Sequence, residues 1–103
     1  MPAGLVFNRI VLVSLNPNTD VAINVPSGKV WGIASAGIGG TNGVVFLKSN
    51  ATDKIAILFS SIGEDEYASP LPFWLDDSFT GGYFRNESGF IGSVSVIEYT
   101  PAP

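Results

Sequence analysis

The feature that most constrains this chain is its punctuation. Short runs rich in Val, Ile, Leu and Phe are broken by Pro, Gly, Asn and Asp at a spacing of roughly 8–12 residues, the rhythm of an all-β sandwich or barrel. Arg9–Leu15 is a continuous apolar run ended by Asn16-Pro17-Asn18. Thr19–Val25 alternates, with Val21, Ile23 and Val25 on one side and Asp20, Ala22 and Asn24 on the other. A period of two puts one side in a core and the other outside. Pro26-Ser27-Gly28 turns the chain into Lys29–Ala36. Val44–Lys48 and Lys54–Ser60 read as a hairpin around a polar loop. Phe73–Leu75, Phe79–Arg85 and Ile91–Tyr99 complete the set, while Ile62–Pro72 reads as an irregular stretch. Gly81-Gly82 signals a bulge or a close backbone approach.

About eight short strands and no helical periodicity predict an antiparallel β-sandwich, jelly-roll-like in strand number. An immunoglobulin-like sandwich is the rival, but its Cys–Trp–Cys core needs cysteine and the chain has none. The 103 residues suit one domain, set at 9–100, with an N-terminal arm at 1–8 and a C-terminal tail at 101–103.

Composition then removes chemistries. With no His and no Cys, a His-based triad, a His metal ligand, a disulfide and a Cys-rich zinc site are all excluded. The carboxylates Glu64, Asp65 and Glu66 are adjacent, as are Asp76 and Asp77, so in extended chain they alternate sides instead of converging. Neither group predicts the paired carboxyls of a glycosidase. Gly63–Glu66 and Asp76-Asp77 are the candidate calcium ligands, yet neither has the EF-hand spacing, so no cofactor is expected. Gly37–Gly43 superficially matches a nucleotide-binding glycine loop. The residues after it form a strand and not a helix, so a hairpin loop is expected. The five basic residues are scattered and the net charge is −4, which argues against a nucleic-acid surface. No apolar run approaches the ~20 residues of a membrane helix, and the first residues lack the pattern of a signal peptide. Asn50-Ala-Thr52 and Asn86-Glu-Ser88 match the glycosylation acceptor pattern and carry no weight without one.

The positive signal is a shortage of charge. Only 14% of the chain is Asp, Glu, Lys or Arg, against roughly 25% in ordinary domains. Ile10–Val13, Val44–Leu47 and Ile55–Phe59 are apolar on both faces, where antiparallel sandwiches keep one face polar. Such strands predict an outer face covered by another subunit in a closed oligomer. Leu5, Val6 and Phe7 are apolar yet precede the expected core, and are expected to make subunit or capsid contacts. Trp74 and Tyr83 are the candidate ligand aromatics, because exposed rings stack on sugars.

Three segments resemble a group of small virion proteins of tailed bacteriophages. Val25-Pro-Ser-Gly-Lys-Val-Trp-Gly-Ile33 is similar to the opening of a strand common in them. Pro70-Leu-Pro-Phe-Trp-Leu75 is similar to a later segment, and Gly89-Phe-Ile-Gly-Ser-Val-Ser-Val-Ile-Glu-Tyr99 to their closing strand. The chain departs from the pattern at Asp76-Asp77, where Pro, then Glu or Ala, then Gly is common. The resemblance implies a homotrimeric jelly-roll that decorates the outer capsid as a cement protein, with itself and the major capsid protein as partners. It would be made in the host cytoplasm and located on the virion. A fibre or tail module, or a carbohydrate-binding module, is the alternative, and no enzymatic activity is expected.

Overall fold

The computed structural model describes residues 4–62, 65–68 and 72–102, the segment 65–68 by its backbone course only. Nine strands are present among the described residues: β1 Leu5–Leu15, β2 Thr19–Ala22, β3 Val30–Ile38, β4 Gly43–Lys48, β5 Lys54–Ile62, β6 Asp65–Ala68, β7 Phe73–Asp76, β8 Tyr83–Glu87 and β9 Gly92–Pro101. They form a four-stranded sheet in the order β1-β9-β3-β7 and a five-stranded sheet in the order β2-β8-β4-β5-β6, antiparallel throughout. With β6 set aside, the other eight strands counted in chain order run 1-8-3-6 and 2-7-4-5. That is the strand order of a jelly roll, so the expected fold class holds.

The core lies between the sheets. Leu15, Ile23, Trp31, Ile33, Val45, Leu47, Leu58, Leu75, Phe84, Val94 and Val96 are buried in it. The alternation expected for Thr19–Val25 is present: Ile23 is in the core, and Val21 and Val25 pack against it. The strand itself ends at Ala22, and Ile23 continues by donating its N–H to the Gly82 carbonyl.

Bulges adjust the phase of three strands. In β1, Phe7 pairs with Tyr99 and Arg9 with Glu98, so Asn8 is the extra residue. In β3 the shift falls between Ile33 and Ser35. Trp31 and Ile33 point inward before it, and Ala36 and Ile38 pack against the core after it. In β5 a shift opposite Val45/Phe46 lets consecutive Leu58 and Phe59 both meet the core. Two residues opposing one is what keeps each apolar set inside.

Several expectations need correction. Residues 5–8 are no free arm: β1 starts at Leu5, and Leu5–Phe7 pair with Pro101–Tyr99. For the same reason Pro101 belongs to the last strand and not to a tail. The Gly37–Gly43 segment is no hairpin loop. It leaves β3 in one sheet and enters β4 in the other, so it bridges the sheets. Asn42 takes the left-handed conformation there at φ 60°. The stretch Ile62–Pro72 is not wholly irregular, because Asp65–Ala68 adds a strand to β5. The β4–β5 hairpin is present as expected. Gly82 is a close approach: a Cβ there would lie 2.3 Å from the Phe79 ring and 2.7 Å from the Lys48 carbonyl oxygen.

Candidate functional site

The two outer faces of the sandwich differ in chemistry. On the five-stranded sheet, alternation turns Asp20 of β2, Tyr83, Arg85 and Glu87 of β8, Phe46 and Lys48 of β4, and Lys54 of β5 away from the core. Their charges interlock. Lys48 Nζ sits 3.1 Å from Asp20, and Arg85 is 3.4 Å from Asp20 and 3.7 Å from Glu87. Lys54 reaches Glu87 at 2.9 Å and lies 4.4 Å above the Phe46 ring. Three of the five basic residues of the chain are used on this face. The apolar Phe46 expected to need a partner subunit is thus capped by Lys54 of its own chain.

The four-stranded sheet presents the opposite surface. Between the inward Val11 and Val13 of β1, Ile10 and Leu12 stand outward at 62% and 75% exposure. Phe7, beyond the bulge, also faces out at 60%. Across the ladder, Ile10 pairs with Ile97, Ile97 with Gly32, and Gly32 with Trp74. One row further, Phe7 pairs with Tyr99, and Tyr99 with Val30. The Trp74 ring lies across Gly32, whose absent Cβ would sit 3.1 Å from it. It also meets the Tyr99 ring at a centroid distance of 5.7 Å and an angle of 44°. The result is a continuous apolar band from the β1 edge to β7.

Of the residues singled out from sequence, Val6 and Phe7 are exposed on β1 and Leu5 is half-buried. Trp74 belongs to the apolar band. Tyr83 faces out from the other sheet, with Lys48 Nζ 6.0 Å above its ring. The two aromatics therefore lie on opposite faces and make no common platform.

The acidic candidates separate likewise. Gly63 and Glu64 lie outside the described residues, and nothing is described of the Asp65 and Glu66 side chains. Asp76 accepts the Ser78 N–H and hydroxyl, and this hydroxyl bond above all holds its carboxyl below the ordinary range. Asp77 instead accepts the Gly28 N–H at 2.7 Å. Among the described residues no three acids converge on a point that would hold a metal ion. No helix among them is long and apolar enough to cross a membrane.

The sequence reading does not single out Glu98, the one acid among the described residues that the core encloses. It is 1% exposed and in phase with the buried Val94 and Val96, which is the signal an alternation reading offers. Its carboxylate accepts Arg9 Nε at 2.8 Å and Nη2 at 3.2 Å, Trp31 Nε1 at 2.9 Å, and the Asn8 amide. Those donors, Arg9 foremost, hold its pKa down to about 2 against the opposing effect of burial. Every lone-pair direction is thereby used, so Glu98 is a structural tie between β1, β3 and β9 with no proton to offer a substrate.

No protein-family model matches the chain, and no curated protein or solved structure does either.

Proposed function

We propose that this chain is a non-enzymatic virion structural protein, a capsid decoration subunit that binds and stabilises the assembled head of a tailed phage as a homotrimer. The observation that carries the reading is apolar surface left uncovered by the described residues. Val6, Phe7, Ile10, Leu12, Ile55 and Ile62 are each more than half exposed in a chain with 14% charged residues. A soluble monomer rarely leaves so much large apolar surface outside, and a contiguous patch marks an interaction site. The jelly-roll strand order is one used by viral capsid domains among others, and a fold by itself assigns no role. The order of segments from Val25 to Tyr99 supplies the phage context. Binding only the assembled shell would stabilise it by mass action.

Light scattering at micromolar concentration tests the assembly, with three times the 10.8 kDa chain mass expected. Co-sedimentation with heads of the encoding phage tests the partner. A monomer mass overturns the homotrimer, and a trimer that stays in the supernatant overturns the decoration role.

A further inference from the structure

We infer that the outer face of the four-stranded sheet is the surface through which copies of this chain bind one another. The inference rests on the self-assembling reading above and names the surface and its occupant. Phe7, Ile10, Leu12, Ile97, Tyr99 and Trp74 make the band continuous, and none of them packs on the core.

Charge selects a second copy as the occupant. The outward rows carry no Lys, Arg or Glu: Leu12 is followed across the sheet by Ser95 and Ser35, and Ser14 by Ser93 and Gly37. Asp76 stands at the β7 margin and is engaged by Ser78. Three copies of this face converging on a three-fold axis bury no unpaired charge between them. The opposite face interlocks its charges across β2, β8 and β4, and its exposed Ile55, Ile57 and Ile62 are confined to β5. A sugar, by contrast, needs free polar groups beside its stacking rings. Here the ladder partners of Trp74 and Tyr99 are Gly32, Phe7 and Val30, and Asp76, opposite Val30 in the same outward row, is engaged by Ser78.

Size agrees. Four strands about 4.8 Å apart, with ten residues in β9 at about 3.3 Å each, give roughly 500–600 Å² in projection. Side-chain relief brings this toward the ~800 Å² per partner of a standard interface. The edge agrees as well. β1 is an eleven-residue edge strand, about twice the usual length, and its guards, the bulge at Asn8 and the charge of Arg9, precede a stretch from Ile10 to Leu15 that carries no charge and no Pro. Long apolar edges persist in native proteins when something covers them.

Because the chain has no cysteine, single-cysteine variants report proximity directly. With a short bismaleimide, Leu12→Cys is expected to give covalent dimers and Ile57→Cys, on the other sheet, none. The pair Ile10→Lys with Leu12→Lys is expected to reduce the wild-type mass to that of one chain with an unchanged far-ultraviolet spectrum. Absence of cross-links through position 12 overturns the inference even if the lysine variant misfolds. A lysine variant that stays trimeric overturns this surface and leaves the trimer standing. A monomeric wild type overturns both. A monomer that binds heads through Ile10 and Leu12 replaces the second copy by the capsid protein and also overturns the inference.

Discussion

The indole N–H of Trp31 donates to the buried carboxylate of Glu98 at 2.9 Å, joining β3 to β9 from inside the sandwich. The same carboxylate takes Arg9 and Asn8 from β1. The bulge at Asn8 makes this possible, since two consecutive side chains there oppose one residue on the partner strand.

Acid should loosen this tie. Glu98 titrates at about 2 in the folded chain and at about 4.5 when unfolded. The folded state therefore binds the proton more weakly, and its stabilising effect is complete above pH 4.5 and lost as pH falls toward 2. Urea melts across that window are expected to show declining stability. In Glu98→Gln the slope should shrink, with a remainder from Asp76. An unchanged slope would refute the role given to Glu98.

Trp31→Phe keeps the ring in the core and removes the donor. Hydrogen bonds to charged groups are worth about 1.5–3 kcal/mol, and the variant should lose that much at pH 7. Its acid transition should also move to higher pH, read by circular dichroism.

Asn86 is fully buried and ties two corners together. Its amide donates to the carbonyls of Leu15 at 3.1 Å and Phe90 at 2.7 Å, and its oxygen accepts the Ser88 hydroxyl. Asn86→Ala strands those groups inside the protein and should cost about 2–3 kcal/mol in urea unfolding. A loss below half a kcal/mol, on the scale of a surface change, would mean the network contributes little.

Gly82→Ala tests the close approach at the start of β8. The new methyl group meets the Phe79 ring, which can swing, and the Lys48 carbonyl, which is backbone and held in place. Overpacking of this kind costs about 1–3 kcal/mol. A midpoint equal to the wild type would show that the backbone yields there.

Residues three apart on β5 should respond oppositely. Leu58 is wholly buried and Ile55 is half exposed. Leu58→Ala should cost about 2–5 kcal/mol, whereas Ile55→Thr should stay within about half a kcal/mol. Similar losses at both sites would mean that Ile55 is covered in solution.

Much of this was legible locally. A strand reports itself through alternation and end signals, so Thr19–Val25 and the β4–β5 hairpin could be read from their own residues. The bridge from β3 to β4 could not. Asn42-Gly43 has the composition of a hairpin turn, but β9 and β7 occupy both sides of β3 and leave no place for β4 beside it. Trp74 carried a signal as one of several aromatics close in sequence, while its partners Gly32 and Tyr99 come from strands distant in sequence.

By itself, then, the sequence determined the strand content apart from β6, the two-layer core and the exclusion of His and Cys chemistry, because side-chain period and residue inventory are local properties. The tertiary structure decided which of the two-faced strands remain uncovered. β4 receives Lys54 from its hairpin partner, whereas β1 lies at a sheet edge where none of the described elements covers Ile10 and Leu12. It also decided that Glu98 is enclosed. A carboxylate tolerates burial only when donors surround it, and those donors come from β1 and β3, which pairing alone brings to β9.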